Sequence, residues 1–379
     1  MTVQHIALLV GVAAVVTLLL TPVVRKVSLR FGLVDRPGER KVHTRDVSRL
    51  GGIAIVVGIA AAIALQLVGE WQLGWSTALA DSDSQIVGCA IGLAIIFVTG
   101  LIDDIFGLNA GQKLIGQVAA AGVLIAFGLR IEFIGNPFGG LIMLGLLSIP
   151  ITAVYVVAFT NVINLIDGLD GLAAGVSAIA GTTMLVLALQ GNRPDAAVFA
   201  AALIGACVGF LRHNFHPASI FMGDSGAMFL GFSLAAISLL GVMKSVAAIT
   251  LVVPLLIIGV PIFDTASAIV RRVRHKRPIQ EADRGHIHHR LLGRGFGQRQ
   301  TVLIIYVWSA GLGVGAYAMR WAATSVKLLT FGVLAGLSVF MAHWLGLFEM
   351  AHYHADELPE DAFSGTDNAP SGDVSCEGD

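Results

Sequence analysis

The chain has little charge: of its 379 residues only 13% are Asp, Glu, Lys or Arg, against about 25% in a typical soluble domain. That composition excludes an ordinary water-soluble fold. The net charge is only −1, so the basic face that a nucleic-acid binder needs is missing. Cysteine is scarce, and Cys89, Cys207 and Cys376 stand too far apart for a CxxC metal site or a disulfide framework. What fills the chain is apolar sequence, 56% of it, together with 45 glycines. It comes in blocks of roughly 17 to 25 residues, each long enough to cross about 30 Å of hydrocarbon as a helix. The first block has no basic leader and no small-residue cleavage site, so it is expected to be a retained span rather than a signal peptide.

Polar interruptions divide the chain into eleven expected spans, near 3–24, 51–68, 86–102, 113–130, 140–160, 171–190, 196–211, 226–243, 246–270, 301–318 and 326–348. The expected fold is therefore all-α and polytopic. Counting Lys and Arg in alternate loops gives 19 on one side and 5 on the other, which makes the richer side cytoplasmic. The N-terminus is then outside and the C-terminus cytoplasmic. Residues 1–348 form one integral domain, while 349–379 turn abruptly acidic, without Lys or Arg. Such a segment buries too little apolar surface to offset its ordering entropy and is expected to be a disordered tail.

The informative residues are aspartates at helix ends. Asp103 and Asp104 close the third span in GLIDDIFGL, Asp167 and Asp170 follow the fifth in NVINLIDGLDGLAAG, Asp224 precedes the eighth in FMGDSGAMFLG, and Asp264 sits inside the ninth. One Asp of this kind is a helix cap or turn residue. Five at one membrane boundary, on the side that favours Lys and Arg, are hard to explain by capping. Carboxylates without thiolates suit a hard cation such as Mg²⁺, with Mn²⁺ as substitute; Mg²⁺ takes one or two carboxylates and completes its shell with phosphate and water. Asn164, Asp167 and Asp170 are spaced by three, so neighbours in this series are able to share a helix face. Adjacent Asp103 and Asp104 point apart on a helix, which favours one as metal ligand and the other as base or orienter.

The basic loops supply the counter-charge. Loop 271–300 contains HIHHRL, which would set His286, His289 and Arg290 on one side if helical. Zinc is an alternative for its histidines, but no Cys is near and nine Lys and Arg repel a cation. Attraction to anionic lipid is another. Loop 25–50 offers His43, Arg45 and Arg49 for an anionic ligand, or as topogenic charge.

Taken in order, GLIDDIFGL, NVINLIDGLDGLAAG, HNFHPASIFMGDSG and HIHHRL resemble the polyprenyl-phosphate N-acetylhexosamine-1-phosphate transferases, over about residues 25–300. HIHHRL is similar to the GlcNAc-1-phosphate branch rather than the phospho-MurNAc-pentapeptide branch. The resemblance implies a membrane enzyme of the cell (inner or plasma) membrane that moves a sugar 1-phosphate from a UDP-sugar to a polyprenyl phosphate and releases UMP. It implies Asp224 as principal Mg²⁺ ligand, with Asp104 beside it, and Asp103 as base or acceptor-phosphate orienter. Asp167 and Asp170 complete the catalytic set and, with Asn164, hold the nucleotide and metal-bound diphosphate. His286, His288, His289 and Arg290 contact the donor, Lys113 the acceptor phosphate, and His43 and Arg49 the substrate. Relatives commonly read RKxHxxPxPRxGG in the first cytoplasmic loop; this chain has RKVHTRDVSRLGG and lacks both prolines, which puts that loop's rigidity in question. A homodimer is left open. The rival from another class is an ion-coupled transporter, since membrane carboxylates also mark ion pathways; transporters place them near the midplane, whereas here all but Asp264 sit at one boundary.

Overall fold

The computed structural model describes residues 2–35, 47–75, 78–79, 83–135, 140–242, 252–274, 285–319 and 324–347. Helix α1 (Val3–Arg30) begins where Thr2 accepts the His5 N–H at 3.2 Å. A short antiparallel pair, β1 (Val34–Asp35) and β2 (Val47–Ser48), leads to α2 (Gly52–Gln72). Helix α3 (Asp83–Phe106) turns directly into α4 (Ala110–Ala126), which opens on a capping box between Asn109 and Gln112. The hairpin β3 (Phe133–Gly135) and β4 (Leu141–Met143) precedes α5 (Ser148–Ile166). Then come α6 (Leu172–Gln190), α7 (Pro194–Asn214), with Pro at its first turn, and α8 (Gly223–Ile237), which runs into a π-helical turn. The remaining helices are α9 (Val252–Ile257), α10 (Gly259–Arg274), α11 (Ile287–Gly293), α12 (Gln298–Ala318) and α13 (Thr324–Trp344).

Among the described residues nine helices are long and apolar enough to span a membrane. Their nesting is steep: 89% of the apolar stretch of α8 is buried in protein, against 22% for α1 and 6% for α13. Lipid tails are as apolar as Leu, so helices associate through close packing at small residues rather than hydrophobic drive. Gly205 and Gly209 of α7 accordingly press on the α1 backbone at Val10 and Ala14. Gly52 of α2 and Gly100 of α3 press on Gly226 and Ser225, where any Cβ would overlap the backbone. The first turn of α8 is thereby gripped from two sides, and it carries Asp224.

Three departures from the expected spans matter. The 113–130 block is α4, which starts earlier, at Ala110, and at 17 residues lies at the short end of the lengths that cross the hydrocarbon. In the 246–270 block the described part, from residue 252, is two helices, α9 and α10, meeting at Ile258; Pro261 has no N–H to give the Ile257 carbonyl, which interrupts the ladder there. The 140–160 block is displaced: residues 141–147 are strand and a 3₁₀ turn, so α5 runs on to Ile166 and carries Asn164. The tail and His43 lie outside the described residues.

Candidate functional site

The site forms where the ends of α3, α4, α5, α8 and α11 meet. Asp103 and Asp104 occupy the last turn of α3, both buried, at 5% and 3% exposure. As adjacent helical residues they diverge. Asp103 accepts the Leu108 N–H at 2.6 Å and meets the Lys113 ammonium at 2.5 Å. That ammonium also reaches Asp224 at 2.7 Å, so one cation on α4 joins carboxylates from α3 and α8. The Asn164 side chain lies against Asp224 as well.

Asp104 turns the other way. Its two oxygens accept the N–H groups of Asp224 at 2.8 Å and Ser225 at 3.0 Å. These are orphan donors of the first turn of α8, and a carboxylate there also meets the positive end of the helix dipole. Both Asp104 oxygens are thus engaged in capping α8, which aims Asp224. Gly223, at φ +70°, permits the approach, because a Cβ would collide with Asp104.

The remaining acids follow a turn, not a helix face. Asp167 is the C-cap of α5, with ψ 51°, and Gly171 sits in the left-handed region at φ +78° before α6 begins. The shared helix face expected for Asp167 and Asp170 is therefore absent, broken by the glycines. Asp167 lies close enough to Asp224, Asp104 and Asp170 to feel their charge; burial first, and those acids second, raise its carboxyl to about 8. Asp170 is held by the loop before α8. Its Oδ2 accepts the Ala218 N–H at 3.0 Å and pairs with His216 Nδ1 at 2.8 Å, so it fastens the turn to the loop before α8. Asn214 completes that fastening by accepting from the Gly171 N–H and donating to the Ile220 carbonyl.

On the first-loop side, Phe221 N–H donates to Ser48, and Gly51 and Gly52 donate to Phe221 and Met222. Half-buried Arg49 is thus laid beside the segment Ile220–Met222 that leads to Asp224, its Nε buried without a partner among the described residues.

The histidine motif closes the site. His286 caps α11, pairing with Asp264 at 2.9 Å, while Asp264 also accepts the Ile287 N–H at 2.7 Å. Asp264 is therefore not an isolated midplane acid; it anchors this helix. The side expected to be shared by His286, His289 and Arg290 does not include the most buried ring of the motif. That ring is His288, 2% exposed and set against Gly168, where a Cβ would come within 2.7 Å of its Nε2. Its ring stacks on His286 at 5.7 Å and tilts against His289 at 4.2 Å. Burial, then the neighbouring histidines, hold its pKa well below the usual imidazole value. Neither ring nitrogen of His288 has a hydrogen-bond partner among the described residues. Among those residues no three His, Cys, Asp or Glu side chains are grouped as a ready metal cage.

The sequence reading missed Asn214, His216 and Tyr306 as site supports. The first two lay in plain view inside HNFHPASIFMGDSG; Tyr306, whose hydroxyl reaches the Gly171 carbonyl at 2.5 Å, carries no local signal.

Comparison with known proteins agrees with this geometry. Residues 86–242, which span α3 to the end of α8, match the model of glycosyl transferase family 4. The chain is 38% identical over 337 residues to a Bacillus subtilis protein named "Probable undecaprenyl-phosphate N-acetylglucosaminyl 1-phosphate transferase", covering 89% of this chain and 91% of the relative. It is 37% identical to a decaprenyl-phosphate N-acetylglucosaminephosphotransferase of Mycolicibacterium smegmatis, covering 83% and 82%. A phospho-N-acetylmuramoyl-pentapeptide-transferase of Desulforudis audaxviator is 32% identical, over 80% of this chain and 93% of that one. With its apolar helices and a joined set of acidic and histidine motifs, the chain belongs to the polyprenyl-phosphate N-acetylhexosamine-1-phosphate transferases, membrane phosphotransferases of glycosyl transferase family 4.

Proposed function

We propose that the enzyme transfers N-acetylglucosamine 1-phosphate from UDP-N-acetylglucosamine to undecaprenyl or decaprenyl phosphate, releasing UMP, at the cytoplasmic face of the cell membrane. The observation that carries this reading is the convergence of Asp103 and Asp224 on Lys113 at one end of the helix bundle, with Asp167 beside them. The 19-to-5 loop charge supports the side of the membrane.

A Mg²⁺ ion, or Mn²⁺ in its place, fits the residues present. The donors are hard carboxylate oxygens, and the ammonium of Lys113 already marks a point to which two carboxylates are directed. Asp224 would hold the ion, with Asp103 or Asp167 as second ligand and phosphate and water for the rest. When bound, it neutralises charge on the donor diphosphate and the departing UMP. Lys113 would hold the acceptor phosphate and Asp103 orient or deprotonate it. The lipid phosphate oxygen attacks the sugar-bearing phosphorus in line, and the bond to the bridging oxygen of UMP breaks. His288, with two open ring nitrogens, and Arg290 would bind the donor diphosphate; Asn164, Asp170 and Arg49 would surround the nucleotide. The polyprenyl tail stays in hydrocarbon, which suits a site at the helix ends.

The likeness to the pentapeptide transferase keeps UDP-MurNAc-pentapeptide as a second donor to assay. The decisive experiment labels each phosphate of UDP-GlcNAc in turn. Sugar-proximal label is expected in an organic-extractable product and uridine-proximal label in UMP, with added UMP driving the label back. Release of UDP, with both labels left in water, would overturn the reading; no labelled lipid at all would favour a transporter.

A further inference from the structure

Both halves of the donor site are mounted on α12. This helix follows α11 after one turn, closed by the Phe296 N–H donating to the Leu291 carbonyl at 3.3 Å. In its first turn Arg299 donates from Nε to the His216 carbonyl at 3.1 Å, and the His216 ring in turn holds Asp170. Two turns on, the Tyr306 hydroxyl donates to the Gly171 carbonyl at 2.5 Å.

That carbonyl belongs to the hinge of the aspartate turn. Gly171 is left-handed, its N–H is taken by Asn214, and its oxygen already accepts the first helical N–H of α6, from Gly175 at 3.0 Å. The oxygen therefore does not need Tyr306 for satisfaction; a carbonyl has two lone pairs, and the hydroxyl occupies the second. What the hydroxyl adds is direction, since it fixes the plane of the Gly171 peptide and so the path of residues 167–171. Gly175 makes room for it, because a Cβ there would overlap the tyrosine ring and hydroxyl.

We propose that Tyr306 is a positioning residue for the transfer reaction, holding the Asp167–Gly171 turn in register with the histidine helix that α12 also carries. It acts through the Gly171 peptide and touches no substrate. The proposal rests on the reading of this site as a UDP-sugar site, so its test has one arm that needs no substrate.

Tyr306→Phe removes only the oxygen, and Tyr306→Leu removes the ring as well. A misplacement of about 1 Å costs on the order of 10²-fold in rate, so a looser turn is expected to cost Tyr306→Phe about ten-fold in kcat. Its KM for UDP-GlcNAc should stay within about two-fold, because binding is shared over several loops. The thermal midpoint should not change. Hydrogen exchange of the amides at 168–172 should quicken in the Phe variant, whatever the donor proves to be. A Phe variant with wild-type kcat, with only the Leu variant impaired, would reduce Tyr306 to ring packing and overturn the proposal. So would unchanged exchange, or an activity loss matched by a lowered midpoint. A wild type that makes no labelled lipid, with faster exchange in the Phe variant, would overturn the donor assignment and leave the positioning role standing.

Discussion

The acid corner and the histidine helix face one another across the same site, yet they are built on opposite plans. At the acid corner the carboxylates are engaged: Asp103 with Leu108 and Lys113, Asp104 with two N–H groups of α8, Asp224 with Lys113. At the histidine helix the bonds fall at its two ends, with His286 and the Ile287 N–H on Asp264 and Arg294 on the Trp344 carbonyl and ring. His288, just as buried, keeps two nitrogens without partners among the described residues. A buried polar group left unsatisfied costs roughly 1 to 3 kcal/mol. The first half is thus shaped by the protein's own bonds, and the second carries a cost that a bound anionic donor would relieve. Fixed geometry sits with the acids, and binding energy is held open at the histidines.

Substitutions at the acid corner should have the largest effects, and they separate two roles. Asp224→Asn keeps the shape but loses the charge, so turnover should fall by at least about 10³-fold while the protein remains folded and inserted. Asp104→Ala should abolish turnover too, but with a lowered thermal midpoint, because removing a helix cap typically costs about 1 kcal/mol and up to about 2. Equal midpoints for the two variants would break the distinction drawn here between a group that reacts and one that aims it.

A substitution at the histidine helix should show the opposite balance. His288→Ala removes a side chain with no hydrogen-bonded partner among the described residues to strand, so the ligand-free midpoint should change little. Donor use should weaken by about 1.5 to 3 kcal/mol, roughly 10- to 150-fold in kcat/KM, as expected for a lost bond to a charged group. If the variant instead loses bound zinc in metal analysis, the histidines are structural and the comparison fails.

How much of this was legible from sequence follows the same division. The acid motifs were legible because a carboxylate beside a membrane span is costly and stands out against apolar sequence. The divergence of Asp103 and Asp104 needed only helical periodicity. The capping work of Asp104 did not show, since it depends on α8 arriving from 120 residues away. Nor did the inward turn of His288, which is fixed by contact with Gly168 rather than by spacing. The spans came through in type and order. Their ends slipped where Pro261 interrupts a helix or where a strand and a 3₁₀ turn replaced about two turns of another, because hydrophobicity alone does not distinguish a bent helix from a straight one.

A smaller effect concerns Asp167, which belongs to the acid corner in charge but has no ion pair among the described residues. Its raised pKa means that, without divalent cation, the folded protein binds a proton that the unfolded chain has released between about pH 4 and 8. Over that window the unfolded state holds fewer protons, so this group makes stability fall as pH rises, and the fall ends above pH 8. Asp167→Asn cannot ionise and should escape it. Its metal-free midpoint should come closest to wild type near pH 4, where the window opens, and exceed it increasingly towards pH 8. A constant gap across the window would show that Asp167 is not the titrating group.

The smallest effect is expected from the tail, which lies beyond the last described residue, Leu347. Residues 355–379 contain none of the site residues, no Lys or Arg, and acids throughout. Their sign matches that of a UDP-sugar, so any electrostatic influence on the donor is repulsive and reaches only as far as salt allows. The screening length is about 30 Å at 0.01 M and about 8 Å at 0.15 M ionic strength. Truncation after residue 354 should therefore leave kcat within about two-fold, lower the donor KM slightly at low salt, and do nothing measurable at 0.15 M. The low-salt shift would arise through the basic loops, and so should vanish in a His288→Ala, Arg290→Ala background if those residues are where the donor's charge is held. A collapse in turnover from correctly inserted, truncated enzyme would mean that the tail supplies a contact to one half of the site, and the two-part division would need a third member.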